Sequence, residues 1–356
     1  MRGSSTDIAR GRLLAAVAVL ATAFLRWGGP LDSAAIAQEP EPTVAAIKPS
    51  QPVKTERNLI TRTGWIHLEI VGGRIAVLGH RCGQSRVVQV GEPGDMPYEQ
   101  LSVQLQSESL VLHYEDLHTD HELKLDLDDQ QRLIISQSAG NPTGDIKLVQ
   151  PFKGPITLTI GRDPQQTYTA ATLWHLTLQQ PQLCEEHLFP LLETLRPHWR
   201  LKELAMGVQR ELLSHAGEDV LAERAQWREW LAELDSDDFQ DRQNADRRLR
   251  GAGQGVIAWL QRLDRKQLSA EQKGRIQDIC QGLADLSTDT PQRVSAWLLD
   301  DRCAWLALLR SEDAEARIAA SNHLTLLFGK PLAFNPLGDL SDREQQIAQL
   351  QVRFGK

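Results

Sequence analysis

From Trp65 to Ile160 the apolar residues recur at every second position. Ile66, Leu68 and Ile70 alternate with His67 and Glu69. Leu101, Val103 and Leu105 follow the same rule, as do Leu123, Leu125 and Leu127, and then Ile156, Leu158 and Ile160. A period of two marks strands with one buried and one solvated face. Gly72-Gly73, Asp128-Asp129 and Asn141-Pro142-Thr143-Gly144 supply turns between them. The pattern predicts eight or nine short antiparallel strands over 59–170, as a sandwich or barrel-like domain. Beyond Ile160 the period lengthens. Thr167 to Gln180 reads as a last strand or a first helix. Pro181 to Leu195 and Pro197 to His215 carry leucines at helical spacing, giving connecting helices over 171–216. Helices then follow over 217–356: Glu218 to Leu234, Phe239 to Arg250, Val256 to Leu263, Ala270 to Leu286, Gln292 to Leu309, Ala314 to Phe328 and Asp342 to Arg353. The expected class is α+β, an antiparallel β domain followed by an all-α domain. Trp174, Trp199, Trp227 and Trp230 lie in apolar helical stripes and read as core anchors.

One stretch of the helical half occurs twice. Trp230 to Gly253 returns at Trp305 to Phe328, 75 residues later and without gaps. Leu231, Leu234, Ala245 and Leu249 meet Leu306, Leu309, Ala320 and Leu324. Ser236 and Ser311 stand where a hydroxyl can cap the next helix. Asp238 and Asp313 suit the positive end of its dipole. Arg242 and Arg317 follow one turn later. These positions resemble the HEAT-like family of armadillo-type helical repeats, of the exported bacterial kind. The resemblance implies stacked helix pairs. It also implies a structural ladder in which Asp238 with Arg242, and Asp313 with Arg317, link neighbouring repeats. The offset reads as two units of roughly 37 residues, against ~40–47 in that family. The unit between them, near Gln272 to Asp300, shows no clear Asp…Arg pair. Pro331 ends the last repeated helix. Leu332 and Phe334 then form a C-terminal cap over its apolar face.

Composition and the N-terminus bear on compartment. Arg2, Arg10 and Arg12 precede the apolar run Leu13 to Leu25, and Ala35-Ile36-Ala37 offers a cleavage site. Residues 1–37 therefore read as a signal peptide. The run is shorter than the ~18 residues a bilayer span requires, so membrane attachment arises only through an uncleaved signal. Residues 38–58, with Pro40, Pro42, Pro49 and Pro52, read as a Pro-rich linker. The expected location is exported: periplasmic, cell-envelope or secreted. Residues 1–37 hold four of the chain's 39 basic residues and two of its 47 acidic ones. The remainder thus carries 35 and 45, a net charge of −10. Such a surface disfavours nucleic acid, whose phosphates need a basic face.

Candidate chemistry is sparse. His113, His118 and His121 lie among four acids in ten residues and could ligate a divalent ion. They equally suit a polar hairpin, with strands Ser109 to Tyr114 and Glu122 to Leu127. The spacing matches no standard zinc signature, so neither metal nor cofactor is assigned. Cys184 and His187 share a helical face without a third ligand in view. Cys280 and Cys303, on successive helices, are the best candidates for a disulfide, and Cys82 with Cys184 the next. Arg242, Arg247, Arg248 and Arg250 read as a solvated face. Gly83-Gln84-Ser85-Arg86-Val87 is not a nucleophile elbow, and His121-Glu122-Leu123-Lys124-Leu125 is not a metalloprotease motif. The expected function is a non-catalytic protein-interaction or scaffold role, with a protein partner. The alternative is a cell-envelope hydrolase with its site in the β domain.

Overall fold

The structure is a computed structural model that describes residues 44–46, 58–79, 85–106, 109–119, 121–139, 144–217, 220–252, 254–283 and 288–354. The signal-peptide expectation at 1–37, most of the linker and Cys82 lie outside the described residues. The chain is α+β: a strand-rich half precedes a helical half.

The strands are β1 (Val44–Ala46), β2 (Ile66–Val71), β3 (Arg74–Gly79), β4 (Arg86–Val90), β5 (Tyr98–Gln106), β6 (Ser109–Leu117), β7 (His121–Leu127), β8 (Leu133–Ala139), β9 (Ile146–Gln150), β10 (Ile156–Ile160) and β11 (Gln166–Ala170). From β4 to β11 they form one antiparallel meander, and β1 joins β4 in parallel. Among the described residues the order runs in a line, with β1 and β11 outermost, so the sheet is open where a barrel would close on itself. β2 and β3 make a separate hairpin.

The register aligns the period-two pattern across the whole meander. Val88, Leu101, Tyr114, Leu125, Ile135, Leu148 and Leu158 fall in one transverse row, and all are buried. On the opposite face Glu115, Lys124, Ser136, Lys147 and Thr159 form a polar row. One face is thus core and the other solvated, as an antiparallel sheet permits. Ile66, Leu68, Ile70 and Ile75 of the hairpin bury into the same core.

The helices are α1 (Leu59–Thr63), α2 (Leu173–Gln179), α3 (Phe189–Leu195), α4 (Leu201–Ser214), α5 (Val220–Glu233), α6 (Phe239–Gly251), α7 (Gln254–Arg262), α8 (Ala270–Leu283), α9 (Pro291–Leu298), α10 (Arg302–Leu308), α11 (Ala314–Phe328) and α12 (Leu340–Phe354). Thr167 to Gln180 is both strand and helix: Thr172 caps α2 and separates it from β11. The single helix expected over Gln292 to Leu309 is two. Asp301 accepts from the backbone N–H groups of Cys303 and Ala304 and starts α10 afresh.

Two hydrophobic clusters organise the helices. The larger joins the sheet to α2, α3, α4 and the returning α9 to α12. The smaller is built from α5 to α8 around Trp227, Leu249 and Trp259. Trp174, Trp199 and Trp227 are buried, as their apolar stripes predict, and Trp230 is partly buried. Leu332 and Phe334 pack partly buried against the larger cluster, where the cap was expected.

Candidate metal centre

The polar cluster of the β domain is set by strand parity. β6 alternates Leu112 and Tyr114 inward, so Asp116 also falls on the core-facing side. Its partners across the ladder are Glu99 on β5 and Leu123 on β7. Glu99 and Asp116 therefore face each other as a pair of carboxyl groups on the core-facing side of the sheet. Directly opposed like charges destabilise a sheet, so this pair departs from the packing logic around it.

Other groups gather on the pair. The Leu59 N–H at the start of α1 donates to Glu99 Oε1 at 2.5 Å. The Tyr114 hydroxyl donates to the same oxygen at 2.9 Å. Burial pushes the Glu99 carboxyl above the usual carboxylate range; the bonds from Leu59 and Tyr114 oppose this, and Asp116 adds to it. Burial, then Glu99 and Asp116, raise the Tyr114 phenol.

The hairpin closes one position further out. The His118 N–H donates to the His121 carbonyl at 2.8 Å. This places the two imidazoles side by side, with ring centroids 4.7 Å apart and planes 16° from parallel. His118 Nε2 lies 3.1 Å from Asp116 Oδ1. One ligand atom from each of Asp116, His118 and His121 lies within 4.8 Å of the others. Two imidazoles and a carboxylate form a donor set for a first-row divalent ion.

The expected trio was His113, His118 and His121, and the structure divides it. His113 lies one residue off the parity of Tyr114, hence on the solvated face, where Nδ1 pairs with Asp126 at 2.6 Å. Asp116 takes its place. The expected strand stopped at Tyr114, whereas β6 runs to Leu117 and carries Asp116 on its core-facing side. Glu99 was missed outright, although it shares the parity of Leu101 and Val103 on β5.

The repeated turns of the helical half have matching geometry. Asp238 and Asp313, rather than Ser236 and Ser311, are the N-caps of α6 and α11. They accept from the backbone of Gln240 and Glu315 at 2.7 and 3.0 Å. Each serine sits two residues earlier and accepts from the aspartate N–H. Arg242 Nη1 donates to the carbonyls of Ser236 and Asp237 at 2.6 and 3.0 Å. Arg317 Nη1 donates likewise to Ser311 and Glu312 at 2.8 and 2.7 Å. Each arginine thus staples its own turn through backbone carbonyls. Arg317 Nε adds a bond to Pro336 O at 2.7 Å, tying the C-terminal segment to the last pair.

The arginines invite a direct comparison. Arg317 makes three carbonyl bonds and is 8% exposed, whereas Arg242 makes two. Removing a buried charged donor leaves its acceptors unpaired. Arg317→Ala is expected to cost about 2–3 kcal/mol and Arg242→Ala about 1 kcal/mol. Urea denaturation of the two variants measures both. Equal costs would show that the Pro336 contact contributes nothing.

The remaining sequence candidates separate. Cys280 is a free thiol in the smaller cluster, and burial raises its pKa. Cys303 lies exposed in the first turn of α10. The expected Cys280–Cys303 bridge is not formed, since Cys280 packs against the smaller cluster while Cys303 is exposed. Cys184 is a free, buried thiol pushed up to about 12 by burial. In the arginine cluster, Arg248 pairs with Glu233 at 3.3 Å and Arg250 with Asp246 at 2.7 Å.

Fold and site together define an α+β protein with an open meander, two helical clusters and a histidine–carboxylate group on the sheet. No family model, curated protein or solved structure matches this chain.

Proposed function

We propose that the chain is an exported, non-catalytic interaction protein that holds a protein partner through a short HEAT-like helical stack. The observation that carries this reading is a groove of about 360 Å³ between α6 and α8. It is lined by charged side chains of both signs: Asp246, Arg250, Glu271, Arg275 and Asp278. Arg250 pairs with Asp246 and Arg275 with Glu271, at 2.7 and 2.6 Å. These exchangeable surface pairs cost little to re-form with a partner. They favour a polar protein segment carrying both charges over an apolar small molecule. The duplicated Asp-cap and Arg-staple turns support the stacked-pair reading, and the N-terminal pattern supports export. The β domain is the second surface of the scaffold. The hydrolase alternative draws on the convergence of Glu99, Asp116, His118 and His121.

The test is a charge reversal, Arg250→Glu with Arg275→Glu. Wild type and variant are each cross-linked in envelope extracts of the cells that make the protein. The reading expects an adduct that the wild type forms and the folded variant loses at least tenfold. Identical adducts from both proteins would exclude this groove as the docking surface.

A further inference from the structure

We propose that Asp116, His118 and His121 form a binding site for a zinc-class divalent ion on the β6–β7 hairpin. The proposal is independent of the helical groove. Three observations converge on it. The first is the ligand set, whose donor atoms already lie within 4.8 Å of one another. Two donors bound to a tetrahedral zinc at about 2.0–2.1 Å lie roughly 3.4 Å apart, so small side-chain rotations close the set.

The second is charge. Glu99 and Asp116 are directly opposed on neighbouring strands in the core-facing row, and a bound cation offsets the repulsion that such a pair creates. The third is support around the ligands. The Asp116 side chain is 15% exposed, and it lies across the ladder from Glu99, which the buried Tyr114 hydroxyl holds at 2.9 Å. The His118 side chain is 43% exposed. The carboxylate side is thus anchored and the imidazole side open to solvent. The hairpin hydrogen bond between His118 and His121 holds the two imidazoles on one face at no added cost in loop ordering.

The ligand chemistry selects the ion. Imidazole suits zinc, copper and nickel, whereas magnesium and calcium prefer all-oxygen sites. Three protein ligands leave the fourth tetrahedral position to water or an anionic group.

Zinc chloride titrated into the full metal-stripped chain, followed by calorimetry and elemental analysis after gel filtration, tests the site. One zinc per chain is expected, with no binding of magnesium chloride at the same concentration. His118→Ala and His121→Ala are each expected to lower zinc affinity by at least about 100-fold. His113→Ala, on the opposite face, is expected to leave affinity unchanged. The melting temperature of each metal-stripped variant shows whether it is folded. His118→Gln serves as a milder variant should an alanine fail that check. Absence of zinc binding to the wild type overturns the proposal. So does binding that survives in a folded double variant of His118 and His121, or binding lost equally in His113→Ala.

Discussion

Asp289→Ala is expected to destabilise the fold by about 3–5 kcal/mol, the cost typical of breaking a buried charged contact. Asp289 is buried. Its two oxygens accept from Gly72 N at 2.8 Å, Gly73 N at 2.6 Å and Trp174 Nε1 at 2.6 Å. Its own N–H donates to the Ile70 carbonyl at 2.8 Å. One carboxylate from the helical half therefore seats the tip of the β2–β3 hairpin and the first helix after the sheet. Alanine strands three donors at once, and each buried unsatisfied donor costs about 1–3 kcal/mol. The hairpin tip has little room to adapt. Gly73 has φ +70°, and a Cβ there would lie 2.6 Å from Thr172 Cβ. Asp289→Asn retains one acceptor oxygen and is expected to cost less than alanine. Urea denaturation, with near-ultraviolet circular dichroism reporting on Trp174, measures both. An alanine cost below about 1 kcal/mol would mean that the clamp does not join the halves.

The second large effect compares the two copies of the repeat. Leu249→Ala and Leu324→Ala are each expected to cost about 2–5 kcal/mol, since both leucines are fully buried. The copies differ in where the loss is felt. Leu249 belongs to the smaller cluster of α5 to α8, and Leu324 to the larger one shared with the sheet. Leu249→Ala is expected to raise hydrogen exchange chiefly within α5 to α8. Leu324→Ala is expected to raise it through α9 to α11 and the inner face of the sheet. The clusters meet at the Arg224–Asp300 ion pair, at 3.2 Å. Its arginine also lies 3.8 Å from the Trp227 ring centroid. Exchange that rises uniformly in both variants would falsify the division into two cooperative units. Costs below about 0.5 kcal/mol, typical of exposed sites, would put the leucines on the wrong face.

The class of the chain was legible in its sequence because burial imprints period on pattern. Alternation of Leu101, Val103, Leu123 and Leu125 marks strands whatever they pair with. Leu249 and Leu324 are buried at the helical positions the repeat assigns them. The Asp and Arg of both turns were recognised as structural, since caps and staples act over a few residues. Their partners were misassigned. An aspartate at the N-cap and a serine two residues earlier differ only in backbone angles, and spacing does not report those.

What required the tertiary structure was every relation between distant segments. His113 and Asp116 are close in sequence, yet parity puts them on opposite faces of the sheet. Asp116 gains its meaning from Glu99 on the neighbouring strand and from the hairpin that returns His121 to it. Asp289 meets Gly72 across 217 residues. Cys280 packs against the smaller cluster, whereas Cys303 on α10 is exposed. Sequence by itself determined the elements, their faces and the α+β class, because local backbone preference and solvent exposure act residue by residue. The tertiary structure alone decided which charges meet. Carboxylates, imidazoles and backbone donors are brought into contact by packing, and packing is a property of the whole chain.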